Sequence, residues 1–254
     1  MTDFLSMLHG PKNFLALLLA GSVLAACASS GTSSNNSDQK ALAKNKDGKA
    51  NVKIESVKPI RTALSQRPSE INISVNGRVT RTGEVYLLRG LANVFSRGMD
   101  TMGAKMVRRG LDARVYNHAA WRELADNIVA RKKLKEVSYP IVIMGHSLGA
   151  NASMQMAKYL GDRGVKVSYV VGFDPTVTTS VGKNVDRVIN FYLPNDSNSN
   201  IVRKAPGFRG TMKNINVRGV RGVTHTTIEK DAKFHADVIG RTLSLTKKRR
   251  KARS

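Results

Sequence analysis

Between residues 71 and 245 the chain switches repeatedly between short unbroken apolar runs and longer stretches with apolar positions three and four apart. Residues 85–88, 113–116, 141–144, 167–173 and 188–193 are runs built mostly from Val, Ile, Leu and Tyr, which predicts strands buried on both faces of a parallel sheet. The spacing over 94–103, 119–130 and 150–160 predicts helices between them. Residues 71–79 predict an antiparallel edge strand leading into the first parallel one. Alternation of this kind predicts an α/β fold: a mostly parallel central sheet with helices on both faces, joined by right-handed crossovers. No internal repeat is visible at any period.

The two ends follow different patterns. Residues 14–26 form an apolar run rich in small residues behind Lys12, too short to cross a bilayer as a helix, which predicts a signal peptide. The run closes on Leu24, Ala25, Ala26 and Cys27 and resembles a bacterial lipobox, in which the cysteine is lipidated and becomes the first mature residue. Cys27 is the single cysteine of the chain, so no intrachain disulfide forms and stability rests on the core. Ala28 behind it, where an aspartate would retain the protein at the inner membrane under enterobacterial sorting, implies the outer membrane. Residues 27–60 are Ser-, Asn- and then Lys-rich and predict a flexible tether. The expected organisation is therefore a signal peptide over 1–26, the tether over 27–60, a folded domain over 61–246, and a basic, solvated tail over 247–254.

Charge changes the picture of partners. Forty-two Lys and Arg against eighteen Asp and Glu leave a formal charge of +24 over 254 residues, and residues 61–246 alone keep +15. So basic a surface meets anionic ones, here the lipid or polysaccharide of a cell envelope. A secretion signal, and the lack of basic residues interleaved with aromatics, speak against nucleic acid as a partner. Hydrophobic residues at 41% exclude a wholly disordered chain.

Candidate chemistry lies at the turn after the third predicted parallel strand. The run that ends at Met144 is followed by Gly145, His146, Ser147, Leu148 and Gly149, and then by an alanine-rich helix. Glycines on either side allow a sharp strand-to-helix turn that lifts Ser147 above the sheet edge and aims a helix N-terminus at its oxygen. A serine needs a base, and the base needs a group that holds it. His9 leaves with the signal peptide, and His146 sits beside the nucleophile, where its side chain should point away. His235 shares a helical stripe with Ile228, Ala232 and Ile239 and is expected to be packed, whereas His118, after the second strand, is expected to line the pocket. His225 follows Gly222, Val223 and Thr224 on a loop and precedes Thr226 to Glu229, which has the spacing of a helix capping box. It is the expected base. Two carboxylates follow strands downstream: Asp174, fixed by Pro175, and Asp196. Asp174 is favoured because its strand should neighbour that of the nucleophile. The backbone N–H groups of Leu148 and of Leu91, which follows Gly90 beyond the first strand, are the expected oxyanion donors.

The order Ser147, Asp174, His225 resembles the α/β-hydrolase superfamily, specifically its small lipase, esterase and thioesterase-like members, over residues 71–245. The Gly-Phe-Asp-Pro turn at 172–175 is similar to the acid-bearing turn of the pancreatic lipase group, while the more common position one strand later would be Asp196. The chain departs from that pattern by lacking clear candidates for the first two strands and by having no sizeable lid insertion, which implies a trimmed fold with a shallow, open acyl site. The resemblance implies a lipid-anchored cell-envelope serine hydrolase that cleaves a small carboxylic ester or thioester through an acyl-enzyme, with no metal and no cofactor. The alternative expectation is a non-catalytic, basic envelope lipoprotein that uses the same scaffold to bind anionic lipid or polysaccharide.

Overall fold

The computed structural model describes residues 70–249 apart from 74, 76, 92–95 and 195–199. The signal peptide, Cys27 and the tether, together with Asp196 and residues 250–254, lie outside the described residues.

Six strands form one wholly parallel sheet: β1 (Glu84–Arg89), β2 (Ala113–Asn117), β3 (Ile141–His146), β4 (Tyr169–Phe173), β6 (Arg187–Tyr192) and β8 (Thr211–Asn216), in the spatial order β2-β1-β3-β4-β6-β8. Two three-residue strands, β5 (Thr179–Val181) and β7 (Val202–Lys204), pair with each other. Among the described residues, four helices of eleven residues or more flank the sheet: α1 (Arg97–Val107), α2 (Trp121–Lys133), α3 (Leu148–Asp162) and α4 (Ala232–Leu245). This is the parallel α/β architecture, with helices on both faces of the sheet, that the sequence predicts.

Although β3 and β4 are buried along their whole length, their side chains still divide by strand period. Tyr86, Leu88, Ile141, Ile143, Val170 and Val188 pack against Leu124 and Ile128 of α2 and Met154, Ala157 and Leu160 of α3. Val85, Leu87, Val142, Met144, Val171 and Phe173 pack against Met99, Met102 and Met106 of α1 and Val238 and Ile239 of α4. Each such side chain contributes about 1.5–3 kcal/mol when fully buried, which is why these runs read as continuously apolar. Arg131 of α2 makes a buried bidentate pair with Glu84 of β1, at 2.7 and 2.8 Å, and ties that helix to the sheet's far end.

Several elements differ from their expected form. Among the described residues of 71–79, Ile71 makes an isolated antiparallel bridge to Val115 where an edge strand is expected. The first helix starts three residues later than its apolar spacing suggests. The Thr226 to Glu229 segment does not cap the last helix: it leads into a 3-10 turn, Ile228–Lys230, and Asp231 caps α4, accepting from the N–H groups of Lys233 and Phe234 at 2.8 and 3.0 Å. Two backbone bonds accepted by a carboxylate outweigh one accepted by a threonine hydroxyl. The basic tail is solvated less than expected at its start, because Lys247 and Arg249 exchange backbone bonds with residues 80–82. The edge strand β8 has no counterpart in the predicted elements. It is polar and largely exposed, since it pairs on one side only.

The chain leaves β1 toward β2 on one side and later places β3 on the other. A crevice therefore opens between the loops after β1 and β3, at the carboxyl edge, which is where open α/β sheets bind ligands.

Candidate active site

Ser147 stands in that crevice between β3 and α3 with φ 56° and ψ −123°. For a residue with a Cβ, such a backbone costs on the order of 1–3 kcal/mol and persists only where its surroundings impose it. Here they do. The Ser147 N–H donates to the Phe173 carbonyl at 2.9 Å. A Cβ on Gly145 would collide with the Gly149 carbonyl, and one on Gly149 with the carbonyl of Leu88. The two glycines thus serve close approach of strand, helix and β1, while the left-handed φ falls on the serine itself.

The His225 Nε2 lies 3.1 Å from the Ser147 Oγ, and its Nδ1 lies 2.7 Å from Asp174 Oδ2. Asp174 closes β4, next to the nucleophile strand, and its side chain is 6% exposed against 45% for His225. Its other oxygen, Oδ1, accepts from the Leu193 N–H at 3.0 Å and from Asn200 Nδ2 at 2.8 Å. With Oδ1 occupied, Oδ2 faces the imidazole. An ionised carboxylate only accepts, so Nδ1 carries the proton and the Nε2 lone pair is turned toward the serine hydroxyl.

Asn200 was not among the expected site residues. It is buried, its side chain bonds the Leu193 carbonyl as well as Asp174, and its backbone carbonyl accepts from Asn190 Nδ2 at 2.9 Å. Asn190 also donates to Asn214 Oδ1 at 3.0 Å, and Asn214 bonds both backbone groups of Val202 at 2.9 Å. Three asparagines from β6, its following loop and β8 thereby support the acid from behind. The one signal in the sequence is Asn190, a polar residue inside an apolar strand run, because a buried amide requires partners.

Leu148 is the first residue of α3, where backbone N–H groups have no partner within the helix. Gly90 approaches the nucleophile so closely that a Cβ built on it would lie 3.1 Å from the Ser147 Cβ. Its carbonyl accepts from His118 Nδ1 at 3.2 Å. In a trans peptide C=O and N–H point opposite ways, so this bond also sets the direction of the Leu91 N–H. His118 therefore acts on the loop beside the serine, a more particular place than the pocket lining expected of it. The Leu91 side chain is 62% exposed.

His146 points away from the serine hydroxyl as expected, into the protein beneath His225, and burial holds its pKa down at about 4. His235 is packed, donating from Nε2 to the Glu229 carbonyl at 2.7 Å. Glu229 is a second carboxyl near the site, fully buried on the first turn of α1 at Gly98. Burial pushes its pKa up to about 7, offset in part by the Lys230 ammonium. Among the described residues, no group of three or more His, Cys, Asp or Glu side chains gathers as a metal-binding set.

No protein-family model matches the chain, and no curated protein matches it. Among solved structures it is similar to Est1E from Butyrivibrio proteoclasticus, at 11% identity and a TM-score of 0.41 over 65% of this chain and 88% of that one. It is similar also to the metagenome-derived lipolytic enzymes LipS and LipT, at 10% identity and a TM-score of 0.42 over 69% of this chain and 98% of that one. A third is the NocB thioesterase domain from the nocardicin cluster, at 14% identity and a TM-score of 0.35 over 69% of this chain and 98% of that one. Fold and side-chain geometry define an α/β protein with a Ser-His-Asp constellation at the sheet's switch point.

Proposed function

We propose that the protein is a serine hydrolase that cleaves a carboxylic ester or thioester through an acyl-enzyme. The observation that carries this is the unbroken chain Ser147 Oγ, His225 Nε2, His225 Nδ1, Asp174 Oδ2, with links of 3.1 and 2.7 Å. Ser147 attacks the acyl carbon while His225 takes its proton at Nε2, and Asp174 stabilises the imidazolium. The N–H groups of Leu148 and Leu91 receive the tetrahedral oxyanion. The intermediate collapses, the alcohol or thiol leaves with the proton from Nε2, and water then repeats the sequence on the acyl-serine. Leu91, Val177 and Val220 carry large exposed apolar side chains in loops beyond the carboxyl ends of β1, β4 and β8. They rim the same edge as Ser147 and favour an apolar acyl group over a charged one.

The proposal includes the address. Cys27, as the lipidated residue of a lipobox-like sequence, would anchor the enzyme to a membrane facing the periplasm, the outer membrane by Ala28. The test is labelling of the purified protein by a fluorescent fluorophosphonate, beside Ser147→Ala and His225→Ala. Labelling of wild type that both substitutions abolish is the expected result. A folded wild-type protein that takes no label would refute the hydrolase and leave the basic surface as an anion-binding one, which would then dissociate from anionic vesicles at high salt.

A further inference from the structure

His146 is the buried titratable group at the elbow that the mechanism leaves unused. Its two ring nitrogens have different partners: Nε2 lies 2.7 Å from the His225 carbonyl, and Nδ1 lies 2.9 Å from the Ser96 Oγ. A carbonyl only accepts, so Nε2 carries the proton. In a neutral ring Nδ1 is then an acceptor, and the Ser96 hydroxyl donates to it. The same Ser96 oxygen accepts the Gly90 N–H at 2.8 Å. One polarity runs through the whole chain, from the Gly90 N–H to Ser96, on to the His146 ring, and out to the His225 backbone. Ser96 and His146 are 1% and 2% exposed, so water does not compete for these bonds. Burial keeps the ring neutral near pH 7, as the chain requires. The other groups facing His146 are the His225 ring, 5.0 Å away between centroids, Asp174 and Lys230.

We propose that His146 is a positioning residue, a fixed bridge that locks the loop after β1, which bears the Leu91 oxyanion donor, to the loop that bears the base, across the strand that bears the nucleophile. This rests on the serine-hydrolase reading above and deepens it. The three parts of the site come from loops after β1, β3 and β8; beside the bond of His225 to Ser147 and the packing of Glu229 on Gly98 of α1, this bridge joins them through buried side chains. A shift of about 1 Å in either loop is enough to cost about a hundredfold in rate.

The test uses substitutions that cut the bridge at different points. His146→Phe keeps a ring and removes both bonds. His146→Asn keeps an acceptor near the Nδ1 position, and His146→Gln keeps a donor near the Nε2 position. Ser96→Ala removes the far half alone. Each is assayed on a short-chain p-nitrophenyl ester, with active sites titrated by the fluorophosphonate so that kcat counts only folded, competent enzyme. His146→Phe should lower kcat per titrated site at least tenfold with KM within about threefold. His146→Asn and His146→Gln should each recover part of the loss. The Ser96→Ala/His146→Phe double variant should lose no more than His146→Phe alone, because both cut one chain. Additive losses, or kcat per site within twofold of wild type, would overturn the bridge while leaving the hydrolase intact. A wild-type protein that takes no fluorophosphonate would instead overturn the hydrolase and this role with it. Nitrogen-15 NMR of the unmodified protein gives an independent readout that needs no variant: the expected His146 form at pH 7 is the Nε2–H tautomer, and the Nδ1–H tautomer or a charged ring would refute the bridge.

Discussion

Asn200→Leu removes the side-chain donor on the triad acid while leaving little space for water to replace it. In the native protein Asp174 Oδ1 is held by two donors, the Leu193 N–H at 3.0 Å and Asn200 Nδ2 at 2.8 Å, in a site where Asp174 and Asn200 are each 4% exposed. A hydrogen bond to a charged group contributes about 1.5–3 kcal/mol, and the Leu193 carbonyl, which shares the same amide, loses a partner as well. Unfolding free energy should therefore fall by roughly 2–4 kcal/mol. The effect on rate comes from orientation. With one donor left, the carboxylate turns about its Cβ bond, and the His225 ring follows it away from the Ser147 Oγ. A tilt that displaces Nε2 by a few tenths of an ångström to about 1 Å lowers kcat about tenfold to a hundredfold. KM should stay near the wild-type value, because Asn200 reaches no substrate. Initial rates on a p-nitrophenyl butyrate series, normalised to fluorophosphonate-titrated sites, give kcat and KM, and urea denaturation gives stability. If kcat per site stays within threefold of wild type while stability falls as expected, the asparagine supports the fold only, and its positioning of the acid is wrong.

Two further outcomes follow from strain and burial at the same site. Ser147→Gly should abolish turnover yet raise unfolding free energy by about 1 kcal/mol or more, because glycine adopts φ 56° and ψ −123° without the Cβ penalty; a variant less stable than wild type in urea would show that the elbow is not strained. Glu229, with its pKa raised from 4.5 to about 7 by burial, binds its proton more tightly folded than unfolded. The stability this gives is fully present below about pH 4.5 and lost as pH rises through 7, about 3 kcal/mol in all. Glu229→Gln should therefore gain on wild type between pH 5 and pH 8.5, and a difference in urea midpoint that stays constant over that range would refute the assignment.

The strands and helices that frame the site were legible along the chain because they depend on local spacing. A parallel strand covered on both faces has no polar side to show, so 141–144 and 169–173 read as unbroken apolar runs, and the helices between them carry their own period. The Gly-x-Ser-x-Gly turn was legible for the same reason: its glycines answer a steric demand made within five residues. β8 was not legible, since an edge strand with one partner keeps a polar sequence. The hydrogen bonds that turn a serine motif into a site join residues far apart in the chain. His225 is 78 residues from Ser147, Ser96 is 50 from His146, and Asn200 is 26 from Asp174. By itself the sequence determined an α/β chain with a serine lifted at a strand-to-helix turn and a small set of downstream partners. The pairing of Asp174 with His225, the asparagines behind the acid and the His146 bridge beneath the base were decided by the strand order β2-β1-β3-β4-β6-β8. Only that order brings the loops after β1, β3, β4 and β8 to one edge at hydrogen-bonding distance.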